Sequence, residues 1–183
     1  MTTLVRRGRC HLFGDHLPID EGIMPFRLAI QRVNDPQALI PHLFESVDPG
    51  FRERVKPGDF VIAGRDFACG KTHIQGFVAM AALKMNVVCA SMPYKAMRRA
   101  VAGGLPVLVG CENAAAFAST GDEIEVDFSS GEAKNVTRGT AMRFPAMSPI
   151  LRDLAANGGT RGALVAWLRD HPEQAAAKET VKS

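Results

Sequence analysis

The chain is poor in the features that mark several large classes of protein. It has one Trp and one Tyr, and a formal charge of only +3 over 183 residues. A nucleic-acid surface needs a basic stripe, commonly interleaved with aromatics, and none is evident. No apolar run approaches the roughly 20 residues that a membrane-spanning helix requires. The opening "MTTLVRRGRCHLFGD" has basic residues but no apolar segment behind them, so it does not read as a secretory signal. A cytoplasmic protein is expected. Cysteine is sparse too: Cys10, Cys69, Cys89 and Cys111 include no C-x-x-C pair, so neither a self-contained zinc site nor an iron–sulfur site is expected.

What is present is ordinary for a globular protein, with 46% hydrophobic and 22% charged residues. One domain over residues 1–172, followed by a polar tail over 173–183, is the expected organisation. "RCHLFGD" suits a short strand, and "HLPIDEGIMP" a loop punctuated by Pro and Gly. "DPQALIPHLFESVDPGFRERV" carries Leu39, Ile40, Leu43, Phe44 and Val47 at helical spacing, with Asp35 as N-cap and Pro36 in the first turn. Phe60 to Ala63, "NVVCAS" and Leu105 to Val109 read as buried strands. Between them lie a helix over 72–84, with Phe77, Val78, Ala81 and Ala82 inward, and "YKAMRRAVAGG", a helix stopped by Gly103-Gly104. This alternation predicts βαβ units and a parallel layer. Ile124, Val126 and Phe128 then alternate with acidic residues, predicting a half-exposed hairpin with a partner strand near Val136. "SPILRDLAANGG" predicts a helix capped by Ser148, and "GALVAWLRDHP" a last amphipathic one. His11, His16, His42 and His171 are expected at the surface or in loops, since no pair shares a helix face at ligand spacing.

The most informative stretch is "VIAGRDFACGKTHIQGFVAMAALK". A strand running into Gly70-Lys71-Thr72 suggests a nucleotide phosphate loop, which places four residues between its first glycine and its Gly-Lys-Thr. Here five residues, Arg65 to Cys69, follow Gly64. The extra residue spoils the convergence of backbone N–H groups on one phosphate. What survives is a strand-to-helix turn whose helix N-terminus favours some other anion. Cys89, in an apolar run, reads as a core residue, whereas Cys69, on the turn, is either a packed turn residue or a reactive thiol.

Four segments, in order, resemble the small subunit of 3-isopropylmalate dehydratase, the detached swivel domain of the aconitase superfamily. "GDHLPIDEGIMP" resembles that family's early loop, G-D-x-V-D-T-D-x-I-I-P. "LFESVDPGFRERVKPGDFVIAGRDFACG" resembles the run into its G-x-N-F-G-C-G turn. "AVAGGLPVL" resembles N-A-x-x-x-G-L-P-x-L, and "GDEIEVDFSSGEAKNVTRGTAMRFPAMSPILRDLAANGG" its closing hairpin and helix. The resemblance runs from about Gly8 to Asp170. It implies a swivelling β/β/α fold of the aconitase C-terminal type, an α/β domain with a small mixed sheet, βαβ units and a hairpin. It also implies no cofactor on this chain, a larger partner subunit carrying a [4Fe–4S] cluster, and a small-molecule hydroxy acid as substrate.

In that family the residues after the C-G turn read Ser-Ser-Arg-Glu-His. The serines lie by the reacting carbon, and the Arg holds a substrate carboxylate. The corresponding positions here are Lys71, Thr72, His73, Ile74 and Gln75, and the early Asp-Thr-Asp is Pro18-Ile19-Asp20. Lys71, Thr72 and His73 are the expected catalytic residues: a cation for a carboxylate or a base, a hydroxyl, and an imidazole able to do either job. Arg27, Cys69 and Gly70 are expected to bind substrate, Arg27 through its bidentate fork. Two readings stand. The chain is either the small subunit of an aconitase-type hydro-lyase acting on a hydroxy di- or tricarboxylate, or a swivel-domain paralogue without turnover that serves as a binding or regulatory module.

Overall fold

The computed structural model describes residues 4–71 and 73–176. Its centre is β1, Val5–Leu12, which changes partner along its length. Val5 to Arg9 pair antiparallel with β5, Glu123–Asp127, and Cys10 to Leu12 pair parallel with β2, Phe60–Ala63. The exposed first half carries no apolar run, which is why the sequence suggests only the second half as a strand. Next to β2 lie β3, Asn86–Cys89, and β4, Val107–Leu108, all parallel. Beyond β5 lie β6, Glu132–Asn135, and β7, Thr140–Arg143, both antiparallel. The seven strands run β4-β3-β2-β1-β5-β6-β7.

The two halves of the sheet differ as their sequences dictate. β2 and β3 are buried at every position, as parallel strands covered on both faces must be. β5 buries Ile124 and Val126 and leaves its acidic residues half-exposed. β4 is shorter than the expected 105–109. The expected hairpin is the first part of a three-stranded meander, and Val136 lies exposed just past β6.

Among the helices, the long one expected over 36–54 is broken. α1, Phe26–Ile30, precedes it unannounced. α2, Pro36–Leu39, is capped by Asp35, whose carboxylate accepts from the Gln37 amide at 3.0 Å. A 3₁₀ turn, Ile40–His42, then contains Pro41, which has no N–H to continue the ladder. Phe44 takes a positive φ of 59°, and α3, Phe51–Arg54, forms separately. Leu39, Leu43, Phe44 and Phe51 are still fully buried, so the apolar spacing signalled burial and not a continuous helix. Phe44 joins Phe13 and Phe51 in an aromatic cluster with ring centroids 4.4 and 4.7 Å apart.

α4, Gln75–Ala82, starts later than residue 72. Gln75, Gly76, Phe77, Ala79 and Met80 are its buried residues, while Val78 and Ala81 are half-buried and Ala82 is exposed. α5, Tyr94–Ala102, ends at Gly103-Gly104 as expected. α6, Ala114–Phe117, packs on β2. α7, Pro149–Ala156, has Ser148 at its N-cap position, although the hydroxyl makes no capping bond. α8, Gly159–Asp170, leaves Leu164, Val165 and Trp167 exposed. A further short helix, α9, Pro172–Ala176, occupies the start of the expected tail, and residues 177–183 lie outside the described ones. α5, α7 and α8 pack together, and α2 packs on α4.

His11 departs from its expected surface position. It lies in β1 at 5% exposure, with Nε2 3.0 Å from the Asp59 carboxylate. That carboxylate also accepts from the Arg9 and Lys56 amides, so Asp59 is satisfied by the fold around it, while His11 Nδ1 is buried without a partner among the described residues. Among the described residues, no helix is long and apolar enough to cross a membrane, and no three His, Cys, Asp or Glu side chains cluster as metal ligands.

Candidate active site at the turn after β2

The site forms where the loop after β1 meets the turn after β2. The Ala68 and Cys69 amides both donate to the Leu17 carbonyl, at 2.8 and 3.3 Å, and the Ile19 amide donates to the Cys69 carbonyl at 3.0 Å. The two segments are thus stitched by backbone bonds, and the Asp15 carboxylate adds to them by accepting from the Arg65 amide at 2.7 Å. On the other side, the Phe67 amide donates to the Ser91 carbonyl at 3.0 Å and the Asp66 amide to the Ser91 hydroxyl at 2.8 Å. These bonds hold a backbone that alternates into the left-handed region, with φ of 55° at Asp66, 61° at Ala68 and 89° at Gly70. A non-glycine residue in such a region costs about 1–3 kcal/mol, and strain of this kind collects at functional sites. Gly70 bears its φ without cost.

The early loop is also seated on the start of α4. A Cβ on Gly76 would lie 2.7 Å from Ile23 Cγ2, so only glycine lets that loop approach so closely. The approach brings Asp20 to His73. His73 Nδ1 lies 2.7 and 3.0 Å from the two oxygens of the Asp20 carboxylate, and the Phe26 ring packs at 5.2 Å. Nδ1 beside a carboxylate carries the proton, which leaves Nε2 as the acceptor. Nε2 has no hydrogen-bond partner among the described residues. Both side chains of the dyad are about one-third exposed, at 33% and 27%, so solvent or a ligand reaches them.

Lys71 sits two residues before this dyad and is exposed. It is not at a helix N-terminus, since α4 begins only at Gln75. The positive charge at the turn is therefore that of the Lys71 side chain, with no helix dipole behind it. Lys71 and Gly70 line a cleft of about 840 Å³, to which α5 contributes Lys95, Arg98 and Arg99 and α7 contributes Leu151 and Leu154. Cys69 is half-exposed beside it. Thr72 lies outside the described residues.

Arg27, on α1, is engaged elsewhere. Its Nη2 donates to Glu45 at 2.8 Å, and His42 Nδ1 lies 2.6 Å from the same carboxylate. Partial burial raises the Glu45 pKa, but the hydrogen bonds from His42 and Arg27 outweigh it and hold the carboxyl below its usual range. The guanidinium fork is thus committed to a carboxylate of its own chain. The other cysteines are inert: burial pushes Cys89 and Cys111 up to about 12 and Cys10 to about 11.

The sequence assigns no role to Asp20, the one acidic residue of the early loop's Asp-Thr-Asp that is kept, and it passes over Phe26 and the three α5 cations. The cations did leave a signal: Lys95, Arg98 and Arg99 stand at i, i+3 and i+4, one face of a helix. Asp20 stands at the last Asp of the early-loop motif, but its meeting with His73 spans 53 residues of chain and leaves no local sign.

No family model matches the chain. Its relatives do. It is 36% identical over 157 residues to the 3-isopropylmalate dehydratase small subunit of Moorella thermoacetica, covering 85% of this chain and 92% of that one. It is 33% identical over 164 residues to the small subunit of the same name from Thermodesulfovibrio yellowstonii, covering 89% and 93%. It is 32% identical over 154 residues to the 2,3-dimethylmalate dehydratase small subunit of Eubacterium barkeri, covering 84% and 92%. Among solved structures, 3-isopropylmalate dehydratase from Methanocaldococcus jannaschii has the same fold, with a TM-score of 0.83 at 24% identity, covering 93% of this chain and 99% of that one.

Proposed function

The chain belongs to the family of 3-isopropylmalate dehydratase small subunits, and on that footing we propose how its own residues serve the reaction. It is the small subunit of an aconitase-type hydro-lyase, which works with a large subunit. The reading proposed here is reversible dehydration of a malate-type hydroxy acid in the cytoplasm, with an iron–sulfur cluster on the large subunit. That cluster would supply the Lewis acid for the departing hydroxyl.

The observation that carries the roles is the Asp20–His73 dyad beside Lys71. Asp20 fixes the imidazole with Nδ1 protonated, so Nε2 is the proton acceptor. Nε2 takes the proton from the carbon next to a substrate carboxylate. The C–H electron pair becomes the double bond as the hydroxyl leaves the neighbouring carbon. Lys71 meets the adjacent carboxylate, whose charge grows as that proton departs, so its cation favours the transition state over the ground state. Phe26, against the ring, restricts the imidazole and keeps water from one side of it. Thr72 adds a hydroxyl next in sequence, and Cys69-Gly70 supplies the wall of the turn. Arg27 enters as a substrate clamp only by leaving Glu45.

The test is the assembled enzyme, this chain with its large subunit, assayed on 3-isopropylmalate. His73→Asn and Lys71→Met are expected to lower kcat by about 10²–10⁴-fold, the usual share of a positioned acid or base. Asp20→Asn is expected to lower kcat while leaving KM nearly unchanged, since it acts through His73 and not on substrate. Turnover that ignores all three substitutions overturns the assignment. An assembly without turnover on any hydroxy acid leaves the binding-module reading in its place.

A further inference from the structure

The loop between β1 and α1 carries two carboxylates in succession, and each has its own target. Asp20 meets His73 Nδ1 through both of its oxygens, at 2.7 and 3.0 Å. Glu21 Oε1 accepts from the Phe26 amide at 2.9 Å. The two targets then touch, since the Phe26 ring lies 5.2 Å from the imidazole at an interplanar angle of 37°. These contacts close a circuit that runs through Asp20, His73, Phe26 and Glu21 and returns by the peptide bond to Asp20.

The backbone is tied down where the circuit begins. The Ile23 amide donates to the Pro18 carbonyl and the Met24 amide to the Ile19 carbonyl, both at 3.0 Å, and the Glu21 amide to the Met24 carbonyl at 2.9 Å. Glu21 holds a φ of 61° there, a left-handed conformation that glycine adopts without strain. Glycine would make the turn, but it has no acceptor to offer Phe26. Glu21 is exposed, so its bond contributes little to the fold as a whole. α1 stays docked through the buried Leu28 and through Arg27 on Glu45. What the bond decides is local. A helix of five residues cannot hold its own ends, and Pro25 at its N-cap makes no side-chain capping bond. Glu21 therefore sets where α1 begins and, with it, where the Phe26 ring lies.

The imidazole needs that second support, because Asp20 leaves it one freedom. A single N–H shared between two carboxylate oxygens fixes the place of Nδ1 and still lets the ring plane rock about it. The Phe26 ring stops that motion. The direction of Nε2 thus has two determinants, Asp20 at one ring atom and Phe26 against the ring face.

We infer that Glu21 is a positioning residue for His73, acting through the Phe26 amide and ring. This rests on the role proposed above for His73 as base, and deepens it.

Proton NMR of the full chain and kinetics of the assembled enzyme on 3-isopropylmalate test it together. Phe26→Leu removes the ring current and marks where the His73 ring protons resonate without it. Glu21→Ala is expected to move them most of the way to those positions and to lower kcat about tenfold, with KM within about twofold; misplacing a reacting group by about 1 Å costs up to about 10²-fold. Glu21→Gln keeps an acceptor oxygen and should restore both. Added to Phe26→Leu, Glu21→Ala should lower kcat no further. Asp35→Ala removes a carboxylate cap of the same kind from α2, where Oδ1 accepts from the Gln37 amide, and should move neither readout. An unmoved imidazole or an unchanged kcat in Glu21→Ala overturns the inference. So does a loss that Glu21→Gln fails to restore, a loss that adds to that of Phe26→Leu, or an equal loss in Asp35→Ala. The two readings fail separately. Turnover that ignores His73→Asn sinks the assigned base, while His73 ring protons that ignore Glu21→Ala sink only the positioning role.

Discussion

At the scale of single residues, the cysteines illustrate how burial sorts chemically identical groups. Cys10, Cys89 and Cys111 are buried, and burial lifts their pKa to about 11, 12 and 12, so at neutral pH they are thiols shielded from solvent. Cys69 alone is half-exposed, on the strained turn of the candidate site. Brief alkylation of the native chain at pH 8 is therefore expected to modify Cys69 alone, read as a single adduct by peptide mass spectrometry. Modification of Cys89 or Cys111 at a comparable rate would contradict the buried placement. The sequence separates Cys89 from Cys69 correctly, because one sits in an apolar run and the other beside a glycine. It has no means of finding the Asp20–His73 pair. His73 is expected at the site and Asp20 lies in the early-loop motif, but only folding brings the two to 2.7 Å.

At the scale of elements, the early loop and α4 are held together by the absence of a side chain. Adding a methyl at Gly76 gains helix propensity of about 1 kcal/mol but drives Cβ to 2.7 Å from a fully buried Ile23. Overpacking a closed interior costs about 1–3 kcal/mol, so the clash outweighs the propensity. Gly76→Ala is expected to destabilise the chain by up to about 2 kcal/mol, the difference between those terms. It should also displace Asp20 from His73. In an Ile23→Ala background, which removes Cγ2, Gly76→Ala should cost measurably less than in the native chain, as unfolding in denaturant would record. An equal cost in both backgrounds would mean that Ile23 is not the obstacle. The broken helix over 36–54 teaches the complementary lesson. Its apolar positions predicted burial correctly, but Pro41 and the left-handed Phe44 decided the path of the chain.

At the scale of the molecule, stability in acid depends on a few carboxylates with depressed pKa values. The Ser119 amide, the Asn135 side-chain amide and the Arg138 guanidinium hold Asp122 below its ordinary range. Burial works against Asp127 and Glu45, yet hydrogen bonds from Ser129 and Ser130, and from His42 and Arg27, carry both below theirs. A carboxyl whose folded pKa lies below its unfolded one stabilises the fold above the unfolded value, and that contribution is lost as pH falls through the folded one. Stability is thus expected to hold down to about pH 4.5 and to decline below it, where ordinary carboxyls begin to protonate. Asp122→Asn should lower stability at neutral pH by about 1.5–3 kcal/mol, the worth of charged hydrogen bonds, and should flatten part of the acid slope. Denaturant midpoints measured from pH 3 to 7 on both chains would read this. Parallel curves would remove Asp122 from the account.

The sequence by itself determined the α/β class, the parallel run of β2, β3 and β4, the end of α5 at its glycines and the family resemblance. Those features come from local signals: unbroken apolar runs, glycine stops and motifs contiguous in the chain. Tertiary structure alone decided that β1 serves both halves of the sheet, that His11 is buried against Asp59, and that Arg27 is spent on Glu45. It alone set Asp20 behind His73 and placed the α5 cations in one cleft with Lys71. Each of these depends on contacts between residues distant in sequence, whose free energy is gained only when the sheet and its helices close around them.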